Sequence, residues 1–217
     1  MNVRKSEVII SAIVLLFFVI GVCLYPWMPD KIASHWNAKG EVDGYLPKFW
    51  GLFLFPLIFA GIALLLVAVP RIDPLKANIE EFRRHYDRFA IIFSIFFLFI
   101  YLQTILWNLG IQISPLTLLP IGMGLLFYYA GVLCENAKRN WFIGIRTPWT
   151  LSSDTVWGKT HKIGGKLFKI AGITAILGAF IQEYAIILIL IPVISVAVYT
   201  SAYSYFEYQK EVKQKAY

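Results

Sequence analysis

The chain has 217 residues, of which 59% are hydrophobic and only 15% are charged. A soluble domain is about a quarter charged, so this composition excludes an ordinary soluble protein and predicts an integral membrane protein. The net charge of +7 would also suit nucleic-acid binding, but excess Lys and Arg in a membrane protein usually mark cytoplasmic loops. We therefore expect a multi-pass protein of the cell membrane that contacts the lipid bilayer and does not bind nucleic acid directly.

Apolar runs of membrane-spanning length follow one another along the chain. A helix needs about 20 apolar residues to cross the hydrocarbon core, and four runs approach this length, at 8–27, 49–69, 89–109 and 116–134. The run from 167 to 203 would reach on the order of 55 Å as one helix. We expect it to fold back at Gln182-Glu183 into two further spans. The predicted fold is an all-α polytopic membrane bundle of about six transmembrane helices.

The distribution of Lys and Arg predicts the orientation of this bundle. With six spans, seventeen of these residues lie on the side of the termini and only three on the opposite side, at Lys31, Lys39 and Lys48. Positively charged loops stay in the cytoplasm. We therefore expect both termini to be cytoplasmic and the loop 29–48 to face outwards.

The predicted domain organisation is a single membrane domain, 1–217, with three parts. Residues 1–70 form a two-span module that contains the outer loop 29–48. Residues 71–88 form a cytoplasmic interfacial helix that begins at Asp73-Pro74, a favourable helix start, and carries an i,i+4 pair of Glu80 and Arg84. Residues 89–217 form a four-span module with a cytoplasmic loop at 135–166.

The outer loop combines turn-forming residues with exposed aromatic and ionisable groups. Its two glycines permit turns at positive φ, and Asn37, Glu41 and Asp43 can bond their own backbone in Asx-type turns. His35 with the two carboxylates could bind a metal ion or a cationic peptide, but this is a weak ligand set, and we favour a compact loop whose polar groups satisfy each other. The candidate binding residues of this loop are His35, Trp36, Asn37, Gly40, Asp43, Gly44 and Tyr45.

The stretch 140–165 is the longest polar interruption between two apolar regions and is rich in cations and indoles. Ser152 or Ser153 can cap a helix start, and Asp154 places negative charge where the helix dipole is positive. Gly164-Gly165 is predicted to end this short helix. The candidate binding residues of this loop are Asn140, Gly144, Arg146, Thr147, Pro148, Trp149, Trp157, Lys159, His161 and Gly165.

Both loops resemble segments of one known family. Asn140 with GIRTPWTLSSDTVWGKTHKIGG resembles the signature of the SdpI family, which comprises multi-span membrane proteins named for an immunity protein against a secreted sporulation-delaying toxin. The segment PDKIASHWNAKGEVDGY, followed by Lys48, is similar to the N-terminal module of unknown function in that family. One departure is Ala33, where the family often has Pro.

The resemblance implies two activities. A protein of this family would protect the membrane from an extracellular toxin peptide and hold a cytoplasmic transcriptional repressor at the membrane when toxin is present. Our hypothesis is that the outer loop contacts the peptide, and that the cytoplasmic loop binds the cytoplasmic partner or holds the conformational state of the bundle.

Two other classes of function compete with this interpretation. A transporter or flippase for a lipid-like or peptide substrate is disfavoured because no span carries an ionisable residue near its middle. Gln103 and Asn108 suit interhelical hydrogen bonds instead. A membrane enzyme would have to use His161 or His35, but the common catalytic motifs are missing from the sequence. We predict a protein that is not an enzyme, with no catalytic residue, metal ion or cofactor. The sequence does not indicate an oligomeric state.

Overall fold

A computed structural model describes residues 3–215. Over this part of the chain it consists of eight α-helices and one antiparallel two-stranded sheet. The elements are α1 (Lys5–Leu24), β1 (Lys31–Trp36), β2 (Val42–Pro47), α2 (Lys48–Ile72), α3 (Lys76–Glu81), α4 (Arg83–Asn108), α5 (Pro115–Asn136), α6 (Pro148–Ser152), α7 (Asp154–Leu177) and α8 (Ala185–Lys215). The predicted helical membrane bundle is confirmed, whereas the hairpin of β1 and β2 lies where only turns were expected.

Five helical segments in the described part of the chain are long and apolar enough to cross a membrane, namely Lys5–Trp27, Lys48–Ile72, Arg83–Asn108, Pro115–Asn136 and Gln182–Gln214. The sixth long helix, α7, carries four lysines in its first sixteen residues. It ends at Leu177, and a short 3₁₀ helix, Gln182–Tyr184, leads into α8. The predicted fold-back near Gln182-Glu183 is therefore confirmed, while the sixth crossing and the cytoplasmic termini stay predictions.

Aromatic side chains fill the space between α1, α2 and α4. Phe17 is fully buried, and its ring centroid lies 5.0 Å from that of Phe59 and 5.1 Å from that of Tyr101. The Tyr101 hydroxyl donates to the Leu52 carbonyl oxygen at 3.1 Å. Each such aromatic pair contributes about 0.5–1.5 kcal/mol beyond its buried area. Because lipid is as apolar as these rings, shape and ring geometry set the helix positions here.

A cluster of charged side chains joins the same three helices at the end where α1 begins. The Glu7 carboxylate lies 2.7 Å from the Arg71 guanidinium and 3.5 Å from that of Arg83. Arg83, only 6% exposed, also bonds Asp87 at 2.8 Å. Removing one partner of a buried charge pair typically costs about 3–5 kcal/mol, so this cluster ties the helix ends together.

The predicted interfacial helix at 71–88 is wrong in its boundaries. The α2 helix continues to Ile72, α3 is short, and α4 starts at Arg83. Asp73 does not cap a helix. Its Oδ1 accepts the Leu75 N–H at 2.7 Å and its Oδ2 accepts the Trp141 N–H at 2.9 Å. The expected Glu80–Arg84 pair is replaced by contacts of Glu80 with Arg83 and Arg4, because the break before α4 changes the helical phase.

Four glycines bring α5 and α7 into backbone contact. A Cβ atom on Gly131 would lie 2.5 Å from the Gly165 carbonyl oxygen, and one on Gly124 would lie 2.5 Å from that of Gly172. The two glycine pairs lie about two helical turns from each other along the antiparallel helices α5 and α7. The prediction that Gly164-Gly165 ends a helix is therefore wrong, because these residues lie inside α7 and serve the close packing that small residues permit in membranes.

We expect Gly172→Ala to lower the free energy of unfolding by about 1–3 kcal/mol, since the added methyl group cannot fit against the α5 backbone. Gly158→Ala is the matched control on the same helix, because a Cβ there would have nothing within 4 Å. Ala favours a helix by up to about 1 kcal/mol over Gly, so this control should unfold at the native midpoint or above. Unfolding of both variants in detergent measures the difference, and equal midpoints would contradict the close contact.

Candidate functional site

The outer-loop candidates form the hairpin, residues 31–47, in which Ala33 faces Tyr45. Asn37 shapes its turn, since its Oδ1 accepts the N–H groups of Lys39 at 2.9 Å and Glu41 at 3.0 Å. Gly40 adopts a φ of 79°, which suits a residue without a side chain. The predicted Asx-type turn is therefore present at Asn37.

Asn108 fixes the hairpin to the end of α4. Its Oδ1 accepts the Ala33 N–H at 2.8 Å, and its Nδ2 donates to the Ala33 carbonyl oxygen at 3.0 Å. The Trp36 ring packs edge-on against Trp107, with centroids 5.5 Å apart. The prediction of an interhelical hydrogen bond for Asn108 is wrong, because its side-chain amide bonds the backbone N–H and carbonyl oxygen of Ala33 in β1.

The outward face of the hairpin presents His35, Asp43 and Tyr45. His35 Nδ1 lies 2.5 Å from Asp43 Oδ1, so Asp43 bonds this ring rather than its own backbone. Tyr45 is 60% exposed. Gly44 lies beneath the imidazole, where a Cβ would come within 2.8 Å of the His35 Cβ. Within residues 3–215, no three His, Cys, Asp or Glu residues are grouped so that they could hold a metal ion.

The cytoplasmic-loop candidates lie at the opposite end of the bundle, in the Asn140 loop (residues 137–153) and the first turns of α7. Asn140 is fully buried and organises the loop. Its Oδ1 accepts the N–H groups of Phe142 at 3.0 Å and Ile143 at 2.6 Å, and its Nδ2 donates to the carbonyl oxygens of Lys138 and Ile143. All four hydrogen-bonding positions of the amide are thus used inside the loop.

His161 supports this loop from below. Its Nε2 accepts the Ile145 N–H at 2.9 Å, so the ring is neutral with its proton on Nδ1, which lies 2.9 Å from the Trp157 carbonyl oxygen. Gly144, at a φ of 107°, passes directly over the imidazole, and a Cβ there would lie 2.4 Å from Nε2. Burial lowers the pKa of His161 to about 4. Both ring nitrogens are occupied and the side chain is buried, so the ring lacks the free lone pair that a general base needs.

Further contacts hold the loop to its neighbours. The Thr147 hydroxyl accepts the Thr150 N–H at 3.1 Å, which caps α6, and lies 2.9 Å from the Ser204 hydroxyl of α8. The Trp157 indole N–H donates to the Ala137 carbonyl oxygen at 2.8 Å. Ser153 caps α7 by accepting the Val156 N–H at 3.2 Å, as the sequence predicts.

Only part of the predicted set is available to a partner. Arg146 and Pro148 are exposed, and Trp149 is half-buried with its ring against Tyr205. Lys159 is exposed and bonds Glu207 at 2.8 Å. Gly144 is exposed, with its backbone against the His161 ring. The remaining candidates are buried, namely Asn140, Thr147, Trp157, His161 and Gly165.

Several contributors to this site were missed in the sequence. Asp73 anchors the Trp141 N–H, and Asn78 donates to the Arg139 carbonyl oxygen at 2.7 Å. Both come from the connection between α2 and α4, more than 60 positions away in the chain. No local pattern marks such long-range partners, so only the fold reveals them.

We expect acidification to destabilise the folded chain through His161. The imidazole has its usual pKa of about 6.5 when unfolded and about 4 when folded, so the stability that neutral His161 supplies is complete above pH 6.5. It is lost as the pH falls towards 4, by up to about 3 kcal/mol. The measurement is the unfolding midpoint in detergent at each pH.

His161→Gln should flatten this pH dependence, whereas His35→Gln, on the exposed hairpin, should retain it. Parallel curves for the native chain and His161→Gln would refute the assigned neutral ring.

Comparison with known proteins shows which family and which relative the chain resembles. Residues 136–204 match the SdpI/YfhL protein family, and residues 12–60 match a domain of unknown function (DUF1648). Immunity protein SdpI of Bacillus subtilis (strain 168) is 26% identical over 207 residues, which cover 95% of this chain and 97% of that protein. No solved structure matches the chain. The resemblance that the two motifs predict is therefore confirmed: this multi-pass membrane protein is similar to the SdpI/YfhL family over residues 136–204 and to an SdpI immunity protein over nearly its whole length.

Proposed function

We propose that this chain is a membrane immunity protein that protects its host from an extracellular peptide toxin. The observation that carries the proposal is the match along nearly the whole length of an immunity protein, with 95% of this chain and 97% of that protein aligned. A likeness of this extent covers both the hairpin and the Asn140 loop. The proposal therefore includes both ends of the molecule.

The hairpin is the proposed contact for the toxin. Its backbone is held by Asn108, and its turn by Asn37, so the side chains on its outward face are presented in a fixed arrangement. An exposed Tyr combines a large apolar area with few rotatable bonds, which favours it at binding surfaces. The His35–Asp43 pair beside Tyr45 supplies polar groups for orientation.

We expect Tyr45→Ala and Asp43→Ala to reduce survival of a sensitive host challenged with a sporulation-delaying toxin by at least tenfold relative to the native chain, because each removes an exposed contact without opening the core. A contact of interface quality is worth about 1–2 kcal/mol. Tyr128→Ala, which truncates an exposed tyrosine of α5, is the matched control and should protect fully. The measurement is colony survival at equal membrane abundance.

Full protection by both hairpin variants would count against the hairpin as the toxin contact. The orientation is checked in the same cells with Lys39→Cys, in a background lacking Cys23 and Cys134. An impermeant maleimide should label it from outside.

The Asn140 loop is the proposed contact for a cytoplasmic repressor. Trp141 is 51% exposed and Phe142 is 42% exposed. The exposed Arg146 donates from its guanidinium to the Trp141 carbonyl oxygen at 3.0 Å. Trp and Arg carry much of the binding energy at protein interfaces. The buried amide of Asn140 keeps this patch in one conformation, which lowers the entropic cost of binding.

We expect Trp141→Ala to release a repressor from the membrane fraction when toxin is present, while leaving the chain folded. The repressor to use is a DNA-binding protein encoded beside this chain, fused to a fluorescent protein and located by microscopy. Lys138→Gln, an exposed neighbour outside the patch, is the control and should still recruit it. A repressor that stays away from the membrane even with the native chain and toxin would refute this second activity.

The proposed mode of action is binding rather than catalysis. The relative that the chain resembles is named for immunity. The buried His161 has both ring nitrogens occupied, by the Ile145 N–H and the Trp157 carbonyl oxygen. Coupling between the two ends would require the toxin to prefer one of two bundle arrangements.

A further inference from the structure

Two adjoining cavities lie along the seam between α7 and α8. The first has a volume of about 220 Å³ and is lined by Lys159, Lys162, Ile163, Lys166 and Tyr203. The second has a volume of about 350 Å³, shares Ile163 with the first and continues along the helices towards Pro192. Ile163 therefore separates a cavity lined by three lysines, which we call the mouth, from a mainly apolar cavity, which we call the groove.

The mouth carries more positive charge than its neighbours neutralise. Lys159 bonds Glu207 at 2.8 Å. Lys162 and Lys166 are exposed and, among the residues that the structure describes, form no ion pair. Both lie one helical turn apart on α7 and point into the same cavity. Two unpaired ammonium groups around one cavity favour an anionic ligand with several oxygen acceptors.

The groove has the chemistry of an acyl-chain site. Its floor is formed by Ala171 and Val196, both buried, and its rims by Ile170, which is 59% exposed, and Tyr199, which is 48% exposed. From Ile163 to Ala171 it extends about 12 Å along α7 at 1.5 Å per residue. This length accommodates part of one extended hydrocarbon chain, and the exposed rims at Ile170 and Tyr199 leave the groove open on one side.

The position of the mouth agrees with this ligand. The end of the bundle that carries it holds most of the Lys and Arg of the chain, and such ends face the cytoplasmic leaflet. That leaflet is the one rich in anionic lipids.

We propose that the seam between α7 and α8 binds one anionic phospholipid, with its phosphate between Lys162 and Lys166 and one acyl chain in the apolar groove. This site lies outside the hairpin and outside the patch of Trp141, Phe142 and Arg146, although Lys159, a candidate residue of the cytoplasmic loop, lines its cavity.

The test measures how phosphatidylglycerol and phosphatidylcholine each raise the unfolding midpoint of the detergent-purified chain. The native chain should prefer phosphatidylglycerol. Lys162→Gln with Lys166→Gln should weaken the apparent affinity for phosphatidylglycerol about fivefold for each lysine, without changing the response to phosphatidylcholine. Lys76→Gln with Lys138→Gln is the matched control, because it removes the same charge from exposed lysines at the same end of the bundle.

A third variant separates the groove from the charges. Ser195→Trp places a bulky ring in the groove and should weaken binding of long-chain phosphatidylglycerol. Glycerol phosphate, which lacks acyl chains, should stabilise the native chain little. The proposal is overturned if the Lys162/Lys166 pair binds phosphatidylglycerol like the native chain, if the control pair loses as much affinity, or if glycerol phosphate alone reproduces the stabilisation.

Discussion

The backbone contact between α5 and α7 is the constraint on which the Asn140 loop depends. Gly124 meets Gly172 and Gly131 meets Gly165 at distances that leave no room for a side chain. These contacts fix the separation and the register of the two helices that the loop connects. In that register His161 lies under Gly144 and accepts the Ile145 N–H. A shift of α7 by one residue would rotate the imidazole away by about 100° and leave the Ile145 N–H without its partner. The conformation of the loop therefore depends on the packing of α7 against α5.

The conspicuous polar residues of the two motifs divide into those that set shape and those that face outwards. The side chains of Asn140, His161 and Asn37 accept hydrogen bonds from backbone N–H groups of the same chain. A buried amide or imidazole with every partner satisfied favours one loop conformation, because each alternative leaves polar groups unpaired. Tyr45 and Arg146, by contrast, are exposed beside these rigid supports. The structure thus separates the residues that keep a surface in place from those that can meet a partner.

Charge is handled differently in the interior and at the surface. Arg83 is buried but contacts Glu7, Glu80 and Asp87, so its charge is balanced within the protein. Lys162 and Lys166 are exposed beside a cavity between α7 and α8, where the proposed anionic lipid would balance their charge. The excess of Lys and Arg at this end of the bundle therefore combines internal neutralisation with a surface suited to anionic headgroups.

The sequence by itself determined the membrane class, the positions of most apolar helices, the fold-back near Gln182 and the resemblance to the SdpI family, because hydropathy and the two long motifs are read directly along the chain. It also predicted the Asx-type turn at Asn37 and the helix cap at Ser153, whose hydrogen-bond partners lie within four residues. It could not predict that the outer loop pairs as a hairpin on Asn108, that Asp73 anchors the Asn140 loop, or that Gly165 lies within a helix. Those outcomes depend on partners 68 to 75 positions away or on a second helix backbone. Only the packed bundle decides them, because the partner of a buried polar group or a glycine is whichever distant residue the fold brings next to it.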